Sequence, residues 1–560
     1  MTTTAPAPPD PLPWGQTWPE REDFLTMAAD RRVVPVVRRL LADDVTPVGL
    51  YRQLAAGREG TFILESAGAD GVWSRWSFVG VAARAVLTSR GGQARWYGNV
   101  PVGIPTTGPV LEVLEGALEQ LHTPAIAGLP PLTGGLVGSM GWDVIHQWEP
   151  TLPARAPEEL DLPEVCLVLV GDLAAIDHSN GSVWLIANAI NFDDTPERAG
   201  QAHADALARL DAMQQALVTP RTAAPLVARD DVAVPEPAFR TAKDEFLDGV
   251  VRAKQAIVDG EVFQVVLSQR LDLDCPADPL DVYRVLRTIN PSPYMYYLHL
   301  ADADGKEFHV VGSSPETLVK VTGREVQAFP IAGSRPRGAT AAQDKDLSTE
   351  LQADPKERAE HLMLVDLVRN DLGRVCEPGT VTVVNLMEVL RYSHIMHMAS
   401  TVSGQLRPQA SALEAFTATF PAGTLSGAPK ARAIALIDEL EPARRGIYGG
   451  AVGYFDFAGD MDMAIAIRTA VIADGRATVQ AGGGLVADSV PELEYAESRN
   501  KAAAAVRAIQ QAAAVRTLRQ DPPAPGHAGG EAAAGTGGAA GADRAAADPF
   551  GPARDGARPR

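Results

Sequence analysis

Cysteine is scarce in this chain. Of 560 residues only Cys166, Cys275 and Cys376 carry thiols, far apart and never spaced as CxxC. That excludes a disulfide framework and a cysteine-ligated zinc site, and it predicts a reducing, cytoplasmic compartment. No apolar run reaches membrane-spanning length, so no membrane partner is expected. The opening MTTTAPAPPDPLPWG has neither a basic n-region nor an apolar h-region, and no signal peptide is expected in it. Basic residues are the minority: Lys and Arg total 50 against 70 Asp and Glu, a formal net charge of -20. Sequence-independent nucleic-acid binding needs clustered cations and is excluded, whereas a small anion held by one or two local cations is not. With 46% hydrophobic and 21% charged residues, the chain has ample material for one very large or two ordinary globular domains.

Both ends read as lying outside the fold. Residues 1–18 are Pro-rich, and residues 519–560 form an Ala/Gly/Pro tail with too few large apolar side chains to offset the entropy of ordering it. Between them lie two blocks, 19–214 and 239–518, joined by a Pro-, Thr- and Asp-bearing linker at 215–238. In the first block, Asn180-Gly181 separates two apolar runs as in a hairpin, and residues 72–97 read as strands turning at Gly91-Gly92. In the second, residues 451–486 read as three strands turning at Gly459-Asp460 and Asp474-Gly475. Hairpins with helices grouped elsewhere predict an α+β fold rather than a doubly wound parallel sheet.

What the chain has in quantity is acid, and some of it is patterned. In DPKERAEHLMLVDLVRND (354–371), Glu357, Glu360 and His361 fall at i, i+3 and i+4 and share one stripe of a helix. Asp354 predicts its N-cap and Pro355 its first turn. Glu357 then has two readings, a capping-box partner or a functional carboxylate, while Glu360 has no capping role. Carboxylates at the edge of an apolar helix need a compensating partner. A second set supplies one: Glu494, Glu497 and Lys501 share a face in ELEYAESRNK (492–501), with Ser489 and Glu492 spaced as a capping box. The plain reading of that face is a solvated helix surface. Opposed to the first set, its i, i+3 carboxylates would suit a hard, oxygen-preferring cation such as Mg2+.

Other segments suit an anion. GTLSGAPK (423–430) runs from a Gly-rich turn into a helix and exposes backbone N–H groups, but it lacks the G-x-x-x-x-G-K-[ST] order, which excludes a nucleotide loop. Gly482, Gly483 and Gly484 allow close backbone approach to a ligand, or else form a bulge. Arg468 interrupts an apolar strand and needs an anionic partner, for which a substrate carboxylate is suitable. His397 alternates with apolar residues and is either a satisfied core histidine or a catalyst.

Together these segments resemble the chorismate-utilising enzymes, and within them the large-subunit (component I) family of anthranilate synthases. The matching stretches are FILES (62–66), GEVFQVVLSQR (260–270), NPSPYM (290–295), GSSPE (312–316), PIAGSRPRG (330–338), GGAVGYF (449–455) and AIRT (466–469), besides the 354–371, 423–430 and 492–501 motifs above. They span most of both blocks. The resemblance implies two antiparallel β-sheets packed together with flanking helices in one large body. It implies Mg2+ on Glu360 and Glu497, with Glu494 and Glu357 around them, the ion holding the ring carboxylate of chorismate. Tyr448, Arg468 and the Gly482, Gly483 and Gly484 backbone would grip the pyruvyl carboxylate, and Gly333, Ser334 and Thr424 would line the ring. His397 would assist loss of the ring hydroxyl as general acid or base, and Lys501 would balance the acidic site.

Two positions select the reaction within that family. Salicylate- and isochorismate-forming relatives carry a water-activating lysine where this chain has Gln264, and aminodeoxychorismate synthases carry a ring-attacking lysine where it has Ala332. Both point to amination at C2 followed by pyruvate elimination, the lyase reaction to anthranilate in tryptophan biosynthesis. Glu65 and Ser66, with Pro293, Tyr294 and Met295, resemble a feedback site for L-tryptophan, and strand and turn packing is the alternative. The chain departs from the family pattern at Ile63-Leu64, Ser334 and Trp76; Ser334 keeps the hydroxyl of the usual threonine. No glutaminase is recognisable, so ammonia is expected from a separate glutamine amidotransferase subunit or from free ammonium. The alternatives are an aminodeoxychorismate or isochorismate/salicylate-type synthase, and a non-catalytic chorismate- or tryptophan-binding regulator.

Overall fold

The computed structural model describes residues 7–55, 57–67, 74–220, 224–229, 233–391 and 395–518. The expected tail, 519–560, lies outside the described residues, as do residues 72–73 of the first expected strand pair.

Local signals become strands where expected. Val165–Asp177 and Ser182–Ile190 pair antiparallel across the Asn180-Gly181 turn. Trp76–Arg90 and Gln93–Gly98 turn at Gly91 and Gly92, whose φ values of 56° and 73° place both in the left-handed region that a two-residue hairpin needs. Residues 451–486 form four strands rather than three: Ala451–Asp456, Met461–Ile465, Thr469–Ala473 and Arg476–Leu485. The extra break falls at Ala466–Arg468, where Arg468 takes φ 53° and turns the chain out of the ladder.

The strands build two antiparallel sheets that share a corner. The first runs Val33–Leu41, Ser182–Ile190, Val165–Asp177, Trp76–Arg90, Thr61–Glu65, Tyr294–Ala301, Glu307–Ser314, Thr469–Ala473, Arg476–Leu485 and Gln264–Asp274. The second starts from the other halves of Val165–Asp177 and Trp76–Arg90. It continues through Gly135–Met140, Ala451–Asp456, Met461–Ile465, Thr317–Thr322, Glu325–Ala328 and Ile395–Gln405. The register between the two corner strands shifts repeatedly from Gly80 to Ala85, which lets one long strand serve both sheets. One hydrophobic core draws on both, with Phe62, Tyr296 and Val310 from the first sheet and Val137, Val452 and Ala464 from the second.

Two boundary expectations are corrected. The segment up to residue 18 is part of the fold from residue 7 on. Leu12 and Trp18 are only 2% and 5% exposed, and Thr17–Trp18 pairs with Val33–Leu41. Two large apolar side chains suffice to dock an otherwise Pro-rich stretch. Described parts of the 215–238 linker are also tied down: helix Pro196–Val218 extends into it, and Leu226–Ala228 pairs with Val515–Thr517. Nor do the two sequence blocks form separate sheets, because Thr61–Glu65 pairs with Tyr294–Ala301 and Gly135–Met140 with Ala451–Asp456.

Close packing has a clear test at Gly312. The buried Tyr296 ring lies across it, so a Cβ there would fall 2.1 Å from Tyr296 Cε2, and the Tyr296 hydroxyl is already fixed to Thr469 Oγ1 at 2.6 Å. Gly312→Ala is expected to destabilise the chain by about 1–3 kcal/mol through overpacking, read as a lower urea midpoint at unchanged slope.

Candidate functional site

Helix Pro355–Gly373 starts as its sequence predicts: the Asp354 carboxylate accepts from the backbone N–H of Lys356 at 2.9 Å and Glu357 at 3.2 Å. Glu357 does not complete a capping box. Its carboxylate instead accepts from Arg335 Nη1 at 3.1 Å and lies over Gly333, whose absent Cβ would sit 2.9 Å from Glu357 Oε2. Helix Pro491–Ala513 begins at Val490, so the Ser489–Glu492 capping box does not form either. The Ser489 hydroxyl accepts from Val486 N at 3.1 Å and bonds the Glu494 carboxylate. Lys501 Nζ pairs with Glu497 Oε1 at 2.8 Å and donates to Gly482 O at 3.1 Å.

The two helices present their carboxylates to each other. Burial first, and then the charges of Glu357 and Glu497, hold the Glu360 carboxyl above its ordinary range. Glu494 is raised by its own burial and by Glu497, with Lys501 and Lys356 opposing. Gly483 lies between: a Cβ there would be 3.1 Å from Glu494 Oε2 and 3.4 Å from Glu497 Oε1. Among the described residues no three His, Cys, Asp or Glu side chains are drawn together as a finished metal site. The donor chemistry nonetheless fits a hard divalent ion, because mutually repelling carboxylates are what such an ion stabilises.

His397 lies on Ile395–Gln405 opposite Ser334, and its Nδ1–H donates to Gly333 O at 3.3 Å. A register shift between Ala332 and Ser334, with Gly333 at φ 76°, turns that carbonyl toward it. Burial, with Arg468 and Lys501 adding to it, pushes the His397 imidazole down to about 4, so it is neutral at neutral pH. His361, which shares the acidic stripe in sequence, turns away from the site. It is fully buried and bonded through Nε2 to Ser400 Oγ at 2.6 Å, a core histidine. Ala332 is buried in the strand beside it and carries no amine.

Arg468 is the candidate anion-binding group. Its guanidinium is half-buried and makes no hydrogen bond or ion pair within 4 Å among the described residues, and the charged groups that act on it are Tyr448 and Glu497. A cation desolvated without a partner is suited to an incoming carboxylate. Tyr448 is buried, and burial pushes its phenol up to about 12, so it stays a neutral donor. Gly482 and Gly484 face the neighbouring strand: Cβ atoms there would fall 2.4 Å from Leu267 O and 2.1 Å from Gln264 Nε2. Gln264 is thus clamped at the end of its strand with Oε1 buried and without a hydrogen-bond partner among the described residues.

Beneath these groups lies a buried ion pair. Arg445 donates to Glu441 through Nε at 2.9 Å and Nη2 at 2.7 Å, and both side chains are at most 3% exposed. Arg445 also donates to Leu425 O at 2.7 Å and Val266 O at 3.0 Å, and it stacks on Trp142 at 4.3 Å. Glu441 accepts from Ser268 N and Oγ at 2.9 and 2.7 Å.

Sequence reasoning missed Glu316. Thr424 Oγ1 donates to Glu316 Oε1 at 2.9 Å, and burial pushes this carboxyl up to about 7, against the pull of Thr424 and Lys501. The residue stood in the GSSPE stretch, but only the fold sets it against Thr424, 108 residues away. Ser334 is exposed at the edge of this region.

The second set of expected residues also comes together, apart from the acidic helices. Met295 pairs with Glu65 across adjacent strands, following Pro293 and Tyr294, with Ser66 at the strand end. The buried Glu65 carboxylate accepts from Tyr283 at 2.6 Å and from Arg287 at 2.8 and 2.9 Å. Tyr294 donates to Asp462 Oδ1 at 2.7 Å.

A sequence profile of the chorismate binding enzymes matches residues 62–507, and the chain belongs to that family. It is 54% identical over 513 residues to anthranilate synthase component 1 of Arthrobacter globiformis, covering 90% of this chain and 95% of that protein. The component 1 of Mycolicibacterium smegmatis is 54% identical over 494 residues, covering 88% and 94%. Among solved structures, anthranilate synthase component I of Streptococcus pneumoniae superposes with a TM-score of 0.67 at 32% identity, covering 83% of this chain and 98% of its own. The menaquinone-specific isochorismate synthase of Escherichia coli shares the fold, with a TM-score of 0.63 at 19% identity over 88% of this chain and 99% of its own.

Glu441→Gln tests the buried pair. With the carboxylate gone, the Arg445 charge stays buried beside a neutral amide, and a loss of about 3–5 kcal/mol is expected in urea denaturation.

Proposed function

We propose that the chain is the synthase component that converts chorismate and ammonia to anthranilate and pyruvate. The observation that carries this reading is a half-buried Arg468 guanidinium with no hydrogen bond or ion pair within 4 Å among the described residues, beside the mutually repelling carboxylates of Glu360, Glu494 and Glu497. Such a site is complementary to a dicarboxylate substrate entering with a divalent ion. The names of the relatives support the same product.

In this reading Arg468 and Tyr448 hold the pyruvyl carboxylate, with the Gly482, Gly483 and Gly484 backbone close by, and Gly333, Ser334 and Thr424 border the ring. Glu360 and Glu497 would hold Mg2+, with Glu494 and Glu357 around them and Lys501 balancing their charge. When bound, the ion anchors the ring carboxylate and offsets charge there. Glu316, protonated up to about pH 7, gives its proton to the departing C4 hydroxyl, which leaves as water while ammonia bonds to C2. His397 is neutral at neutral pH, so it is better suited to receive the C2 proton as pyruvate leaves than to supply one. Gln264 cannot deprotonate water and Ala332 cannot attack the ring, which disfavours the isochorismate, salicylate and aminodeoxychorismate outcomes. Ammonia comes from a glutamine amidotransferase partner, and L-tryptophan acts where Glu65 and Ser66 meet Pro293, Tyr294 and Met295. No described helix is long and apolar enough to cross a membrane, and the three cysteines are free and buried, in keeping with a cytoplasmic setting.

Incubation of the purified chain with chorismate, Mg2+ and an ammonium salt is expected to yield anthranilate, seen by its fluorescence. Salicylate, isochorismate or no turnover would defeat the reading. Glu316→Gln is expected to lower kcat by about 10²–10⁴-fold. The acid form is lost as pH rises through about 7, so wild-type kcat/KM at saturating ammonia should fall there and the variant should lack that limb. Glu360→Gln and Glu497→Gln should each raise the Mg2+ concentration needed for half-maximal rate; unchanged Mg2+ dependence would remove the ligand assignment.

A further inference from the structure

We propose that Arg445 is a positioning residue for the proton donor of this site: by gripping the Leu425 carbonyl it fixes Thr424, whose hydroxyl holds Glu316. The inference rests on the chorismate reading above and adds to it how the acid is aimed.

The contacts form one continuous chain. Arg445 Nη1 donates to Leu425 O at 2.7 Å, and Thr424, the residue before it, donates from Oγ1 to Glu316 Oε1 at 2.9 Å. Within the turn, Leu425 N and Ser426 N both bond to Ala422 O at 3.0 Å, and just beyond Leu425 the backbone is tied to strand Gln264–Asp274, Val266 N donating to Ser426 O at 3.0 Å. The guanidinium adds a side-chain anchor at Leu425 O, the carbonyl next to Thr424. Arg445 is itself immobilised, bonded to Glu441 through two nitrogens, to Val266 O, and stacked on Trp142. The Val266 bond matters as well, because Val266 follows Gln264 by two residues on the same strand. One side chain thus bridges the strand of Gln264 and the turn of Thr424, reinforcing the backbone bond between Val266 N and Ser426 O.

Lysine at this position would keep the charge and an ion pair with Glu441. It cannot reach two carbonyls and a carboxylate in the fixed fork of a guanidinium. The Thr424–Glu316 bond should then loosen. Glu316 also feels Lys501 from helix Pro491–Ala513, and it shares its cavity with Asp371, which pairs with Lys430 at 3.0 Å. Neither contact depends on Arg445.

The test is a double-mutant cycle on the alkaline limb of kcat/KM for chorismate, at saturating ammonia and Mg2+. Thr424→Val removes the hydroxyl that favours the Glu316 carboxylate, so the limb should move upward by about one pH unit. Arg445→Lys should move it in the same direction, with kcat reduced about tenfold, and should add no further shift in the Thr424→Val background. If Arg445→Lys does not fold, Trp142→Phe, which loosens only the stacking, carries the same comparison. A variant with lowered Tm but an unmoved limb, or shifts that add, would overturn the positioning role while leaving the function standing. A wild-type chain that forms no anthranilate overturns both.

Discussion

The ion pair between Glu441 and Arg445 is the constraint around which the candidate site is assembled. Two charges taken wholly out of water cost several kcal/mol each, and mutual attraction repays this only when every remaining donor and acceptor is satisfied. Here the satisfying groups are the carbonyls of Val266 and Leu425 and the N–H and hydroxyl of Ser268. They belong to the strand of Gln264 and the turn of Thr424, and Ser268 also receives Gln480, two residues before Gly482. Solvation of one buried pair therefore dictates where three parts of the site lie relative to one another. Tyr448 is drawn in by the same group, its ring 5.4 Å from the Arg445 guanidinium.

A second constraint is close backbone approach. Strand Arg476–Leu485 runs beside Gln264–Asp274 with no room for a side chain at Gly482 or Gly484, while Gly483 opens toward Glu494 and Glu497. Strand alternation sends successive residues to opposite faces, so three consecutive glycines serve two purposes. Two seat Gln264 and its strand, and one leaves space at the acidic helices. A side chain at Gly482 or Gly484 would push this strand away from Gln264–Asp274.

Much of this was legible in the sequence because it is local. The Asp354 cap, the Gly91-Gly92 turn and the Asn180-Gly181 hairpin depend on side-chain and backbone preferences within a few residues. The i, i+3 acidic pairs followed from helical period alone. Where local spacing left a contact open or pointed elsewhere, a tertiary contact decided it. Glu357 left its capping position for Arg335, Ser489 took Val486 N in place of a capping box, and His361 rotated from the acidic stripe into the core to meet Ser400. Leu12 and Trp18 docked a segment whose composition suggested disorder.

The sequence by itself determined the family, the helices that carry the acidic residues, and the identities at Gln264 and Ala332 on which the proposed choice of nucleophile rests. These are properties of residue type and short spacing. Tertiary structure alone decided that Glu316 is held by Thr424 with its carboxyl raised to about 7, that the Arg468 guanidinium is half-buried with no hydrogen bond or ion pair within 4 Å among the described residues, and that His397 is neutral. Each of these depends on desolvation and on charges brought close from distant parts of the chain. Burial and proximity have no counterpart in the order of the residues.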